Sequence, residues 1–296
     1  MLSMLTRRMA SYSSIQTALK TVNENIKNAI SRRPRVSPNV RLVAVTKTKP
    51  VEDIIAAYNC GQRYFGENYI NELEEKCCDQ RIIESCRDIR WHFIGHLQSN
   101  KVNKLVAIPN LYMMETVHSA NLASLLHKAL KKSTRTERLK VMVQVNTSDE
   151  DSKNGLPMSE AADLVSLIIK ELDTLQFAGL MTIGALDHSI SDGVNPDFMK
   201  LIKCREEVCT KCNLKLEDVE LSMGMSNDYE HAIELGSTNI RVGSTIFGAR
   251  APPSQTGQQS GQSQETQTDT SFKINGTSMK KEDDRVLEQF QNVSLQ

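Results

Sequence analysis

A lysine amine at a strand end, a glycine followed by two hydroxyls, and an inward-facing arginine are the groups whose types and spacing could do chemistry together. Lys47 closes the run VAVTK within residues 41–50, RLVAVTKTKP. Residues 42–45 have the β-branched richness of a strand buried on both faces, and Pro50 blocks its continuation. By strand alternation Lys47 shares the side of Val43 and Val45 and points inward. An ammonium there needs a partner, whereas a neutral amine there is a Schiff-base nucleophile for an aldehyde. The plainer reading is a lysine whose head reaches back to solvent. Far along the chain, Gly243-Ser244-Thr245 places a glycine for close backbone approach ahead of two hydroxyl donors. Ser226, just after Met225, opens what reads as a helix running to Leu235, with Asp228 and Glu230 in its first turn. Its oxygen can cap backbone N–H groups, and those same N–H groups can receive a phosphate. A helix cap plus a glycine turn is the structural alternative. Arg241 shares the parity of Gly243, and a buried guanidinium requires an acceptor such as a ring nitrogen or a carboxylate.

The elements that must position these residues alternate along the chain. Strand-like runs fall at 42–45, 64–67, 91–95, 111–116, 140–147, 177–183, 220–225 and 239–243. Helical patterns fall at 51–60, from about 69, at 120–132, 164–172, 198–212 and 232–235. Eight strands separated by helix-sized segments predict an α/β parallel sheet. The count of eight, and the lack of GxGxxG after the first strand, favour a single (β/α)₈ TIM barrel over an open doubly wound sheet. Ligand-facing groups of such a barrel lie at strand C-terminal ends. Those ends read Lys47, Asn68, Ile94-Gly95-His96, Thr116, Asn146, Thr182, Met225-Ser226 and Gly243-Ser244-Thr245. The loops after the last two strands are where barrels most often hold phosphate. Taken singly, most of these are turn residues; as a ring they form one polar mouth around one lysine.

An extra amphipathic helix precedes the barrel, with Ile15, Leu19, Val22, Ile26 and Ala29 or Ile30 at the helical period and Pro34 and Pro38 closing it. The expected organisation is therefore a start at 1–12, a barrel domain at 13–250 and a low-complexity, disordered tail at 251–296. The 36 basic residues balance the 36 acidic ones, which gives no reason to expect nucleic acid or an anionic membrane as partner. No apolar run reaches the length of a membrane span. Seven scattered cysteines do not make a secreted disulfide framework and point to a reducing, cytoplasmic compartment. Cys209 and Cys212 form a lone CxxC behind Cys204, read as helix packing, and His92 and His96, spaced like helical metal ligands, fall on a strand that the Gly95 corner interrupts between them, so no metal site is expected. Asn146, Asn275 and Asn292 begin N-x-[ST] triplets that have no glycosylation role without a secretory signal.

A lysine amine, a phosphate cradle and an inward arginine at one mouth fit pyridoxal 5′-phosphate (PLP), whose aldehyde meets the amine and whose phosphate meets the cradle. WHFIGHLQSNKVNKLV, with VAVTKTKP, FGENY, GLMTIG and LSMGMSNDYEHAIELGSTNIRVGSTIFG, resembles the pyridoxal phosphate homeostasis protein family over residues 41–248. That resemblance implies a single barrel similar to the N-terminal domain of fold-type III enzymes such as alanine racemase. It implies PLP on Lys47, phosphate at Ser226, Gly243 and Ser244 with Thr245 close by, Arg241 facing the pyridine nitrogen, and Asn68 beside the ring. It also implies a role in intracellular vitamin B6 and amino-acid balance. Asp149, where family members often have glycine, and the long tail depart from the pattern without touching these positions.

An arginine cannot take the proton that a ring-nitrogen carboxylate shares in most PLP enzymes, so carbanion stabilisation should be weak. Racemases of this barrel type also draw a second base from a further β domain, and only the tail follows the barrel here. The expected protein is a non-catalytic PLP carrier, working as a monomer and serving PLP-dependent apoenzymes. The alternatives are a fold-type III amino-acid racemase and a cofactor-free interaction module. The acid-free first 23 residues, with Arg7 and Arg8, fit both a mitochondrial transit peptide and a disordered start. A reporter fused to residues 1–30 separates the two: mitochondrial import selects the transit peptide, and a diffuse cytosolic signal selects the disordered start.

Overall fold

Strand residues alternate between two environments, and that alternation closes the sheet into a barrel. The computed structural model describes residues 2–33, 39–148, 154–184 and 193–249, with side chains from residue 12 onward. The expected tail at 251–296, Pro34, Pro38 and Asp149 lie outside the described residues. The barrel strands are β1 (Arg41–Val45), β2 (Tyr64–Glu67), β3 (Arg90–Phe93), β4 (Leu111–Val117), β5 (Leu139–Asn146), β7 (Leu175–Met181), β8 (Glu220–Ser222) and β9 (Asn239–Val242). A two-residue β6 (Leu156–Pro157) pairs with β5 alone. All pairings are parallel, and β4 pairs with β5 to close the ring β4-β3-β2-β1-β9-β8-β7-β5. The expected (β/α)₈ barrel is the observed fold.

Leu42 and Ala44 join the apolar layer between sheet and helices, as do Phe65, Trp91, Phe93, Val141, Val143, Ile240 and Val242. Their alternate neighbours face the axis, where Met113, Met142 and Met181 form a small separate cluster. The covering helices are α1 (Leu2–Ser31), α2 (Val51–Asn59), α3 (Ile70–Cys77), α4 (Gln80–Ser85), α5 (Val102–Val106), α6 (Ala120–Lys131), α7 (Ala161–Glu171), α8 (Pro196–Cys212), α9 (Tyr229–Glu234) and α10 (Ser244–Phe247). Local chemistry sets their starts. Ser119 Oγ accepts from Leu122 N–H ahead of α6, and Asn195 caps α8, which has Pro196 in its first turn.

The expected apolar stripe of α1 is buried at Ile15, Leu19, Val22, Ile26 and Ala29, and α1 packs on α2, α9 and α10. Burying each large side chain of that stripe contributes on the order of 1.5–3 kcal/mol. The helix itself runs through the boundary expected near residue 12 and reaches Leu2. Cys204 and Cys209 are buried on α8, as helix packing required. Among the described residues no helix is long and apolar enough to cross a membrane.

Two expectations need correction. The seventh barrel strand, expected at 220–225, stops at Ser222, because Gly224 turns the chain with φ +95°. The short elements α4, α5, α10 and β6 have no counterpart in the periodicity reading, each being too brief to show a period.

At Gly179 β7 packs against β8 with no room for a side chain: a Cβ there would lie 2.1 Å from the Glu220 carbonyl oxygen. Gly179→Ala is expected to destabilise the protein by about 3 kcal/mol, read as a lowered thermal midpoint; an unchanged midpoint would show that the strands can separate at no cost.

Candidate functional site

The ends of β1 and β9 lie side by side, with Val43 opposite Arg241 and Ala44 opposite Val242. Everything that follows either strand therefore shares one patch of the barrel mouth. A Cβ on Gly243 would sit 3.3 Å from both the Cβ and the carbonyl oxygen of Val45, so this position suits glycine.

After Val45 the chain leaves the strand. Thr46 still donates its N–H to the Gly66 carbonyl, and Lys49 N–H returns to the Thr46 carbonyl. Lys47 sits in this turn and is half-buried, so strand alternation gives its side without placing it in the strand. Its neighbour Thr48 takes φ +63°. Lys49 is engaged elsewhere: its Nζ donates to the carbonyls of Phe247, Gly248 and Ala249 at 2.8–3.0 Å.

Across the seam, Gly243 N–H donates to Ser226 Oγ at 3.1 Å and Thr245 Oγ1 to the Ser226 carbonyl at 3.4 Å. Ser226, Gly243 and Thr245 are thus one unit. Ser244 opens α10, and both it and Thr245 are exposed, with first-turn N–H groups that have no acceptor inside the helix. The expected capping role of Ser226 is wrong: α9 starts at Tyr229 after Asp228. Asp228 Oδ1 accepts from Met225 N–H at 2.6 Å, which folds the Met225-Ser226 corner back and frees the serine to meet Gly243.

Arg241 is buried beneath this unit. It donates to Ser222 Oγ and, at 2.8 Å, to the Thr182 carbonyl. Burial lowers the guanidinium from its ordinary value, with Glu115 and Asp228 opposing. Asn68 follows β2, and its Oδ1 is buried without a hydrogen-bond partner. Its carbonyl oxygen would lie 1.8 Å from a Cβ on Gly95, so the Ile94-Gly95-His96 corner presses directly on it. The other expected mouth residues do structural work: Thr116 Oγ1 donates to the Gly95 carbonyl, and the Thr147 and Thr182 hydroxyls share a bond.

The sequence reading missed the residue at the centre. Glu115 is fully buried, accepting from Ser222 Oγ at 2.5 Å, from Asn239 Nδ2 at 3.0 and 3.1 Å, and from His92 Nδ1 at 2.5 Å. Burial alone would raise its carboxyl; His92, the Arg241 charge and Ser222 outweigh it and hold the group at about 2. Burial lowers His92, so the neutral ring donates from Nδ1 and leaves Nε2 buried without a partner. The available signal was a lone acid in the middle of the run LYMMETV, on the inner parity with Met113. His96 lies elsewhere, its ring 4.9 Å from that of His118. Among the described residues no three His, Cys, Asp or Glu side chains gather as a metal site.

The residues present fit PLP by two features of this chain: a buried amide oxygen awaiting a partner at Asn68, and a glycine-lined cradle with exposed hydroxyls at Gly243-Ser244-Thr245. Comparison with known proteins agrees. The profile "Alanine racemase, N-terminal domain" matches residues 18–251. A pyridoxal phosphate homeostasis protein of Homo sapiens is 53% identical over 244 residues, 82% of this chain and 89% of that one. The protein of the same name from Caenorhabditis elegans is 45% identical over 237 residues, 80% of this chain and 96% of that one. PipY of Synechococcus elongatus with PLP bound superposes with TM-score 0.65 at 29% identity, covering 79% of this chain and all of PipY, 100%. An alanine racemase of Clostridium difficile shares the fold alone, with TM-score 0.59 at 16% identity over 82% of this chain and 61% of that one.

Because the folded Glu115 carboxyl lies below its ordinary 4.5, its stabilisation is complete above pH 4.5 and is lost as pH falls towards 2. Glu115→Gln is expected to cost about 3–5 kcal/mol at neutral pH and to flatten the acid limb of the stability–pH curve. An acid limb identical to that of the native protein would remove Glu115 from this role.

Proposed function

This chain belongs to the alanine racemase N-terminal domain family, in the company of the pyridoxal phosphate homeostasis proteins, and from that premise we propose that it stores and hands on PLP held covalently by Lys47. The observation that carries the reading is the shared patch at the β1–β9 seam, where Lys47 follows one strand and the Gly243-Ser244 turn follows the other. Lys49, the lysine two residues on, has its Nζ taken by three carbonyls and is not the attachment point.

Lys47 would hold PLP through its Nζ amine, the nucleophile that the cofactor's aldehyde calls for. Ser226, Gly243, Ser244 and Thr245 would hold the phosphate, the hydroxyls and the Ser244 and Thr245 N–H groups as donors and Gly243 leaving room for its approach. Met225 shapes the corner that brings Ser226 there. Asn68 would lie beside the ring, and Arg241 would face the ring nitrogen.

When bound, PLP supplies a reactive aldehyde and an electron-accepting ring. A guanidinium only donates hydrogen bonds, so with Arg241 at the ring nitrogen that nitrogen would stay unprotonated and the ring would be a weak electron sink. That favours a carrier over a racemase. The carrier acts as a monomer and delivers PLP to PLP-dependent apoenzymes.

The test is the yellow absorbance of the purified, PLP-loaded protein, followed by borohydride reduction and peptide mapping. Label on Lys47 is expected, and label on another lysine overturns the assignment. Lys47→Ala should lose the yellow band while keeping part of its PLP through the phosphate cradle. Ser244→Asp should weaken PLP binding by about 10–100-fold through like charge, and full occupancy would refute the cradle. Arg241→Gln should weaken binding and shift the spectrum. Interconversion of D- and L-alanine that disappears in Lys47→Ala would replace the carrier by a racemase.

A further inference from the structure

Both residues flanking Lys47 are gripped by one ion cluster centred on a buried ammonium, and the geometry points to Lys76 as the positioning residue that fixes the direction of the Lys47 amine. This rests on the reading of Lys47 just given. Lys76 is on α3 with a side chain only 7% exposed. Its Nζ donates to the Thr46 carbonyl at 2.6 Å, to Glu67 Oε1 at 2.6 Å and to Glu72 Oε1 at 2.7 Å. The two carboxylates complete the grip: Glu67 Oε1 accepts from Thr46 Oγ1 at 2.6 Å, and Glu72 Oε1 from Thr48 N–H at 2.5 Å. The carbonyl and hydroxyl before Lys47 and the amide after it are thus held by three side chains from β2 and α3.

Such a grip is needed because the turn is strained. Thr48 has φ +63°, a conformation that is an outlier for a β-branched residue. It persists only where the surroundings leave no alternative, and the Thr48–Glu72 bond supplies that constraint. Thr46, Leu42 and Ala44 share one parity, so Lys76 acts from the helix side of β1 while Lys47 takes the opposite, inner side. Lys76 therefore holds the backbone from behind the strand.

Removing the ammonium would leave Glu67 and Glu72 facing one another. Burial already pushes the Glu67 carboxyl up to about 7, with the Lys76 charge pulling the other way. Without Lys76, the bonds from Glu67 to Thr46 and from Glu72 to Thr48 lose their common anchor and the turn relaxes. Phosphate binding, which lies on β9 and the two loops beside it, stays.

The experiment compares the full-length protein with Lys76→Met, Lys76→Arg and Glu72→Gln after loading with PLP. Total bound PLP is read by equilibrium dialysis, and covalent attachment by the growth of the yellow band and by borohydride trapping on Lys47. Lys76→Met should bind PLP within about threefold of the native protein but attach it on the order of 10–100-fold more slowly, and Lys76→Arg should recover much of the rate. A native attachment rate in folded Lys76→Met overturns the proposal. Should Lys76→Met not fold, Glu72→Gln, at a partly exposed position, keeps the Lys76–Glu67 pair and should still slow attachment while sparing total binding; an unchanged rate there overturns the proposal equally. Failure of the Lys47 reading itself would show in the native protein, as trapping on another lysine.

Discussion

The interior of this barrel is held by one buried carboxylate. Barrel interiors of this type are usually filled by branched apolar side chains, but a polar column runs along this axis. Arg41 pairs with Glu220 at the N-terminal end and donates to Asn239 Oδ1. Asn239 Nδ2 donates to Glu115, and Ser222 links Glu115 to Arg241. Every step joins a different pair of strands, so the column ties β1, β3, β4, β8 and β9 into one ring. A polar core is tolerable only when nearly every donor and acceptor is matched, and Glu115 is the acceptor that makes the matching possible. Below it, Arg41 and Arg90 stack on the Tyr64 and Tyr112 rings and cover the end of the column.

The same column determines what Arg241 can offer a ligand. Its charge is balanced inside the barrel by Glu115, and its hydrogen bonds to Ser222 and Thr182 fix the guanidinium plane. A guanidinium held in a fixed plane donates hydrogen bonds and accepts none. The rest of the site is backbone placement: two strand ends, a glycine and a strained turn.

Much of this was legible in the sequence. β2 falls at 64–67 as read, and the barrel count of eight was visible because each strand is a short β-rich run set off by a helix-sized segment. Lys47 and Ser226 were visible as polar residues after strand runs, Arg241 as a charge on an inner parity and Gly243 as a glycine where a strand ends. What was not legible was decided by partners far apart in the chain. Glu115 reads as a surface acid until β3, β8 and β9 bring His92, Ser222 and Asn239 around it. Lys76 reads as an exposed helix lysine until Thr46 and Glu67 meet it. The end of β8 and the cap of α9 depended on Gly224 and Asp228, whose turn geometry outweighs the local strand propensity of residues 223–225. The lone polar residues on inner parities were the signal that periodicity alone discards.

The seam between β1 and β9 joins the first and last strands of the ring. A chain emerging from the ribosome carries Lys47 early but has no matching half of the pocket until about two hundred further residues have been made. An unfinished chain therefore has only one side of the seam. Once the ring closes, a ligand bridging the seam binds the folded state alone and stabilises it. Occupancy of the pocket is in this sense a certificate that synthesis and closure are both complete.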